Sequence, residues 1–365
     1  MTIRGLLKIG ATVVTFGLGA LLLASGVLVY IPPSILGYFA YVGFIFPVLF
    51  VLNFLSFLYW AIQWRTRMLL PLTVLVFMLP LWNKTFQMGW QLTPSRLGHA
   101  QELTILSYNV RMFDVFDWSK IPGNSKRIFE FIKQKDADVI CIQEFYATKN
   151  SGTYSEETIN ESFKKYKYRQ IYYDAGEGVR EFGMAVYSKY PIVSKEFLRF
   201  PNTSNSSVVV DIMVKGKRVR IFNNHLESIR LTQENINFLD SINYQSKKSA
   251  KRGVKEITTK LTGAFACRSN QADRIASLSE HSPYPVFMCG DFNDTPVSYV
   301  YHTMKGHLQD SFVENGSGFG GTYHGLPVPF RIDFLFHSSS IINLKYQEFK
   351  VPYSDHYPIY GKFLL

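Results

Sequence analysis

Six short segments of the chain carry polar side chains where an apolar run stops or starts. They are Ser107-Tyr108-Asn109, Gln143-Glu144, Asn224-His225-Leu226, Gly290-Asp291-Phe292-Asn293-Asp294, Asp333 within Arg331-Ile332-Asp333-Phe334, and Asp355-His356. Taken singly, an Asn or Asp after a strand is most often a turn former, and a lone His is most often structural. Together the segments supply carboxylates, amides and two histidines, and no candidate Ser or Cys nucleophile. Oxygen donors of this kind suit a hard cation such as Mg²⁺ rather than zinc. Histidines beside carboxylates supply general acid–base groups. The reaction class that fits the set is metal-assisted attack of water on an electrophile.

The elements that must hold these groups read as an α/β protein from about Leu103 onward. Leu103–Tyr108, Val139–Ile142, Gly183–Ser188, Val208–Val214, Val219–Phe222, Val286–Cys289, Ile332–Phe336 and Tyr357–Phe363 are expected strands. Val208–Val214 and Val219–Phe222 should form a hairpin around Lys215-Gly216-Lys217. A helix capped by Asn124 or Ser125 should run to about Lys135, with Ile128, Phe131 and Ile132 on its buried side. The polar groups then sit at strand ends, where α/β folds gather their sites.

In this order the segments resemble the endonuclease/exonuclease/phosphatase superfamily. That group includes pancreatic-type deoxyribonucleases, abasic-site endonucleases, inositol polyphosphate 5-phosphatases, neutral sphingomyelinases and deadenylases. The resemblance spans about Leu103 to the C-terminus and leaves the first hundred residues uncovered. It implies a two-sheet α/β sandwich and a Mg²⁺-dependent phosphoester hydrolase, with Mn²⁺ as a substitute. It further implies Glu144 as the principal metal ligand, assisted by Asn109 and Asp355. Asp291 would orient or deprotonate the attacking water, and Asn293 would hold a phosphate oxygen. His356, paired with Asp333, would stabilise charge on the phosphoryl group or share the base role. His225 would donate to the leaving group or to the phosphate. Such donors aimed at the oxygens of a dianionic transition state are what phosphoryl chemistry needs.

Departures from individual branches narrow the substrate. Abasic-site enzymes carry Gln-Glu-Thr-Lys and a Tyr at the His225 position, whereas this chain has Gln143-Glu144-Phe145 and a His. The Trp-Cys-Asp-Arg signature of the 5-phosphatases is replaced by Phe330-Arg331-Ile332-Asp333. Asn-His-Leu and Gly-Asp-Phe-Asn-Asp-Thr-Pro look more like the sphingomyelinase, deoxyribonuclease and deadenylase side. Gly321-Thr322-Tyr323-His324 is expected to form a loop beside the site.

The first hundred residues have a different character. No Asp or Glu occurs before Glu102, and no charged residue lies between Lys8 and Arg65. Pro32-Pro33 divides this stretch into apolar runs of roughly Ile9–Tyr30 and Leu36–Trp64, each long enough to cross a bilayer. A shorter third run, Met68–Trp82, follows Arg65-Thr66-Arg67. Arg4, Lys8, Arg65 and Arg67 place the N-terminus and the Arg-Thr-Arg loop in the cytoplasm, so three crossings would put the rest of the chain outside.

Beyond the apolar part, the surplus of basic over acidic residues is small. It is compatible with a phosphate-bearing substrate or an anionic membrane surface and specific to neither. The basic cluster Lys247, Lys248, Lys251, Arg252 and Lys255 reads first as a solvated helix face. Cys141, Cys267 and Cys289 are odd in number and lack metal-ligand spacing; Cys141 and Cys289 read as buried small hydrophobes.

The expected organisation is a membrane anchor of about three transmembrane helices over residues 1–83, a linker over 84–101 and a catalytic domain over 102–365. The protein is expected to be an integral, multi-pass membrane protein with its catalytic domain extracytoplasmic. Expected partners are the lipid bilayer and a phosphoester substrate, whether lipid headgroup, small phosphoester or nucleic acid, with no protein partner. The first alternative is a membrane-tethered nuclease on extracytoplasmic nucleic acid. A catalytically inactive membrane-bound binding module is the remaining one. It would have lost a motif residue, and none is lost.

Overall fold

A computed structural model describes residues 2–89, 101–201, 203–229, 238, 247–326 and 328–365. Most of the expected linker therefore lies outside the described residues. The chain divides into two compact units that are not colinear with the sequence. One holds Met1–Phe86, Ile229–Asn270 and Thr295–Thr303; the other holds Gln87–Ser228, Gln271–Asp294 and Met304–Leu365.

The second unit is built from strands β1 (Gln87–Met88), β2 (Glu102–Asn109), β3 (Val139–Thr148), β4 (Tyr168–Glu177), β5 (Arg180–Ser188), β6 (Ile192–Arg199) and β7 (Ser206–Val214). These are followed by β8 (Lys217–His225), β9 (Val286–Asp291), β10 (Gln309–Asp310), β11 (Ser317–Gly318), β12 (Asp333–His337), β13 (Ile342–Glu348) and β14 (Ile359–Leu364). Apart from a small β1–β11 ribbon, the described strands form two six-stranded sheets, ordered β10-β12-β9-β8-β7-β6 and β13-β14-β2-β3-β5-β4. The expected two-sheet sandwich is what the chain adopts.

Period-two alternation explains the facing layers. Leu103, Ile105, Val139, Cys141, Met184 and Val186 from one sheet share a core with Val208, Val210, Ile221, Phe287, Cys289 and Leu335 from the other. Cys141 and Cys289 are thus buried core residues, as their apolar surroundings imply. The opposite face of the β2–β3–β5 layer carries Leu106, Tyr108, Ile140 and Tyr187, which pack with Ile128, Phe131 and Ile132 of the Asn124–Lys135 helix.

Each sheet has one parallel pair near its centre, β2–β3 in one and β8–β9 in the other, flanked by antiparallel neighbours. The β7–β8 hairpin closes through Lys215 (φ 46°) and Gly216 (φ 89°), the two left-handed positions of a tight turn whose twist matches the strands.

Besides the two-residue strands β1, β10 and β11, three strands go beyond the expected set: β4, β6 and β13. All three stand at sheet edges and bury only part of their length, so their side chains do not announce a strand by hydrophobic alternation. The helix cap also differs from expectation. Gly123, not Asn124 or Ser125, is the cap residue, and both polar side chains turn instead to neighbouring loops.

In the first unit, helices span Ile3–Leu28, Phe46–Ile62 and Leu69–Thr85. Two helical stretches, Gly5–Leu28 and Thr66–Thr85, are long and apolar enough to cross a membrane. The expected run Leu36–Trp64 is not one helix: a 3-10 segment occupies Gly37–Gly43, and the α-helix begins only at Phe46, with Pro47 in its first turn. At 17 residues it measures about 26 Å. The third run, which looked short, is extended N-terminally by Thr66–Met68 and C-terminally to Thr85.

Polar groups of these helices point at one another. Trp60 Nε1 donates to Thr15 Oγ1 at 2.9 Å, and Thr15 Oγ1 lies 2.8 Å from Ser56 Oγ. Asn53, fully buried, donates to the carbonyls of Leu18 and Leu49. Val13, Phe16, Leu55, Val76 and Phe77 are exposed. Lys251, Arg252 and Lys255 are exposed, as a solvated helix face requires, while the side chains of Lys247 and Lys248 lie outside the described residues.

Candidate active site

The two central parallel pairs end with their polar residues in register. Asn109 of β2 stands opposite Gln143 of β3, and His225 of β8 opposite Asp291 of β9. Antiparallel pairing sets Asp333, the first residue of β12, against Asp291. Asp355 and His356 lie just before β14, which pairs with β2. All eight residues expected at the site belong to the second unit and converge at one end of the sandwich.

Two local distortions aim the carboxylates. Between Ile142 and Phe145 the β3–β5 register shifts, and Glu144 at this bulge takes φ 51°. A bulge re-aims a side chain that regular pleating would send elsewhere. Opposite Phe145, Gly183 is required: a Cβ there would lie 1.8 Å from the Tyr172 carbonyl oxygen. In β9, Gly290 has φ 124° and its missing Cβ would fall 2.0 Å from the Asn224 oxygen. That close approach lets β8 and β9 bring His225 and Asp291 together.

Asn109 Nδ2 donates to Glu144 Oε1 and to Asp291 Oδ2, both at 3.1 Å, while its Oδ1 accepts from the Arg111 backbone N–H. Asn109 therefore bridges the two carboxylates as a donor; a half-turn of its amide would present the oxygen instead. Asp291 Oδ1 accepts from the Asn293 N–H at 2.8 Å, closing a turn in which Asn293 has φ 53°. Asn293 Nδ2 donates to the Leu226 carbonyl at 3.0 Å and reaches Asp291 Oδ2 at 3.3 Å.

His356 Nδ1 lies 2.8 Å from Asp333 Oδ2, and its Nε2 is 3.6 Å from Asp291 Oδ2. His225 Nε2 stands 3.7 Å from Glu144 Oε1 and 3.9 Å from Asp291 Oδ2, beyond direct hydrogen bonding. Asp355 pairs with Arg111, Nε to Oδ2, at 3.4 Å. Ser354 Oγ donates to the Asn109 carbonyl at 2.8 Å and ties the β14 approach to the end of β2.

The electrostatics separate the two histidines. Burial by itself would lower His356, but the carboxylates of Asp333 and Asp291 outweigh it and hold the imidazole well above its ordinary range, as an imidazolium. Burial lowers His225; Asp291 pulls upward and the neighbouring His356 downward, leaving it below its ordinary range and neutral. Burial, reinforced by Asp355, raises Glu144, and the Asn109 hydrogen bond offsets part of that rise. Its side chain keeps 26% of its surface open to solvent, so it can meet a ligand. Burial also lifts Asp291 to about 6, with His356 lowering it and Asp333 raising it.

Buried carboxylates held above their ordinary range have too little positive charge around them, and a hard divalent cation fits that deficit and their oxygen donors. Asp291, Asp333 and His356 bring ligand atoms within 4.8 Å of one another. Since the Nδ1 of His356 is committed to Asp333, this trio reads as an acid–base group. Glu144, Asp355 and Asn109 offer oxygen donors that could hold a cation.

Arg111 and Asn223 complete the site without having been singled out in the sequence, and Tyr323 joins them from a loop that was. Arg111 pairs with Asp355. Tyr323, in the loop expected beside the site, sets its ring 5.0 Å from that of His356, with backbone bridges to Phe330 and His356. Asn223 accepts from Gln143 Nε2 at 2.6 Å and donates to the carbonyls of Ile142 and Ala185, a buried amide link between the sheets. Asn223 immediately precedes the Asn-His-Leu segment, and Arg111 follows Asn109 by two, so position was the only available signal for either.

Residues 106–356 match the endonuclease/exonuclease/phosphatase family. Residues 7–85 match a family described as a domain of unknown function (DUF8431). A CCR4-Not complex 3'-5'-exoribonuclease subunit Ccr4 of Aspergillus niger is 23% identical over 288 residues, covering 67% of this chain and 40% of that protein. The chain thus spans about two-fifths of the length of that relative.

Among solved structures, an endonuclease/exonuclease/phosphatase protein of Bacteroides vulgatus superposes with a TM-score of 0.52 at 17% identity, covering 72% of this chain and 98% of its own. One from Beutenbergia cavernae gives 0.51 at 17%, with 73% and 72% covered. Zebrafish (D. rerio) TDP2 in complex with a single-strand DNA product gives 0.50 at 16%, with 72% and 99% covered. With the sandwich, the order of its polar strand ends and a family match over most of its length, the chain belongs to the endonuclease/exonuclease/phosphatase family.

Proposed function

We propose that this chain is a Mg²⁺-dependent phosphoester hydrolase, a phosphodiesterase or phosphatase, held at a membrane surface. The observation that carries the reading is the meeting of Glu144, Asp291 and the His356–Asp333 pair at the ends of both sheets. Glu144, Asp355 and Asn109 would hold the cation, which when bound supplies Lewis-acid neutralisation of phosphoryl oxygens. Asp291 orients water and accepts its proton as the water oxygen bonds to phosphorus. The His356 imidazolium, fixed by Asp333, directs Nε2–H at a phosphoryl oxygen where negative charge grows. Neutral His225 gives a hydrogen bond, not a proton, from Nε2–H to the leaving oxygen, which takes its proton from solvent water as its bond to phosphorus breaks, and Asn293 holds a further oxygen.

The membrane part of the proposal rests on the helical unit. Thr15, Ser56 and Trp60 bond to one another and Asn53 bonds to buried backbone carbonyls, while apolar side chains face outward. That distribution suits hydrocarbon surroundings better than water. Gly5–Leu28 and Thr66–Thr85 are long enough to cross; with the N-terminus cytoplasmic, the catalytic domain lies outside if the 17-residue Phe46–Ile62 helix crosses as well.

A second reading is a tethered nuclease acting on extracytoplasmic nucleic acid. It is favoured by the exoribonuclease activity of the Ccr4 relative and by the exposed aromatic rings Phe116 and Trp118 near the site. The test is hydrolysis by the purified full-length protein in detergent, with Mg²⁺ or with chelator, against phospholipids, inositol phosphates, DNA and RNA. Chelator-sensitive cleavage in one class names the substrate. No cleavage of any class, with the protein folded, removes the hydrolase reading.

A further inference from the structure

We infer that Trp118 and Phe116, flanked by Arg111 and Arg180, form a stacking subsite for an unpaired nucleobase of the substrate; this rests on the nuclease reading of the same site. Immediately after β2 the chain places four consecutive non-glycine residues, Arg111 to Asp114, in the left-handed region, with φ between 46° and 57°. L-residues avoid that conformation, and runs of it persist only where the surroundings over-determine them.

Here they do. Buried Asp114 accepts from the Ser119 N–H at 3.1 Å, from the Ser119 hydroxyl and from Asn124 Nδ2 at 2.7 Å. Asn124 Nδ2 also reaches the Tyr353 carbonyl at 2.7 Å, and Ser125 Oγ donates to the Phe113 carbonyl at 2.7 Å. Phe113 is fully buried against Phe129 and Phe145. The polar groups at the start of the Asn124–Lys135 helix, free of capping duty, thus pin this turn.

Beside the pinned turn, two tilted rings stand between two guanidinium groups. The Arg180 guanidinium lies 5.6 Å from the Phe116 ring centre, Phe116 is 4.9 Å from Trp118, and the Arg111 guanidinium is 4.9 Å from Trp118. Arg111 then ends at Asp355, inside the candidate site. Phe116 and Trp118 remain 41% and 42% exposed. A ring that served only the core would be covered. One built to meet an acyl chain would sit in a continuous apolar patch rather than between guanidinium groups. Flat faces beside cations suit a ligand with a π face on one side and a phosphate on the other. A base can lie on such a ring only when it is out of a duplex, so the ligand is single-stranded.

The experiment measures binding without turnover, using full-length Asp291→Asn protein in detergent. Two fluorescent pentanucleotides of equal charge are compared, one of adenine deoxynucleotides and one of abasic tetrahydrofuran units. The adenine strand should bind more tightly. Trp118→Leu should weaken it by roughly 5- to 100-fold and leave the abasic strand unchanged, and Trp118→Tyr should keep most of the affinity. Equal loss on both strands, or no loss on either, overturns the subsite. So does a Trp118→Leu effect seen only on phosphatidylserine vesicles, which would make the rings a membrane contact. Because the measurement needs no chemistry, base discrimination by a protein that hydrolyses nothing would support the subsite while removing the hydrolase reading.

Discussion

His356 and Asp333 form a buried pair, Nδ1 to Oδ2 at 2.8 Å, that leaves His356 Nε2 directed toward Asp291 at 3.6 Å. A carboxylate behind an imidazole fixes the ring and favours its charged form. The pair is contributed by β12 and by the approach to β14, elements of different sheets. Its geometry therefore depends on how the sandwich closes.

Asp333→Asn should lower turnover by about 10²- to 10⁴-fold and change the pH profile. If His356 acts as the protonated partner, activity is lost as pH rises through its raised pKa. Removing the Asp333 charge lowers that pKa, so the alkaline limb should move to lower pH. An alkaline limb that stays in place would show that Asp333 does not set the charge of His356.

Glu144→Gln should weaken the dependence on Mg²⁺ and cut turnover by orders of magnitude. Because Glu144 is held above its ordinary range in the metal-free protein, cation binding at mildly acidic pH should release protons. Calorimetry of Mg²⁺ binding in buffers of different ionisation enthalpy reads that release directly. Wild-type turnover and unchanged proton release in the variant would remove Glu144 from the cation site.

Asp291→Asn should abolish most activity while the fold stays intact. In metal-free protein the variant should melt at an equal or higher temperature above pH 6. The sign follows from the folded pKa of about 6, which lies above the value near 3.9 of an unfolded Asp. Unfolding then releases a proton between those values, so the ionised carboxylate destabilises the fold progressively from about pH 4 and fully above about pH 6. Removing it should return part of that stability there. A variant that loses activity and melting temperature in parallel would make Asp291 a structural residue.

Met88 follows the Leu69–Thr85 helix and is exposed. A Met88→Cys variant in a Cys267→Ser background should be labelled from outside intact cells by a membrane-impermeant thiol reagent. Labelling only after lysis would place the catalytic domain in the cytoplasm.

The interior strands were legible from local sequence because each buries alternate side chains, as in Leu103, Ile105 and Val208, Val210, Ile212. The six polar strand ends were legible for the complementary reason: a carboxylate or amide following an apolar run has to emerge somewhere. So was the Lys215-Gly216 turn, whose left-handed residues are a local property. Edge strands β4, β6 and β13 were not, since partial burial erases the alternation that marks a strand. Nor was the break in Leu36–Trp64, where apolar composition runs on while the helix does not.

The convergence of Glu144 with Asp291, the opposite shifts of the His225 and His356 imidazoles from their ordinary range, and the Arg111–Asp355 contact were decided only by tertiary structure. Each joins residues far apart in the chain through strand register and the facing of two sheets. Residue type and spacing name the groups that could do the chemistry. Their distances, burial and protonation depend on long-range pairing that no local stretch of the chain contains.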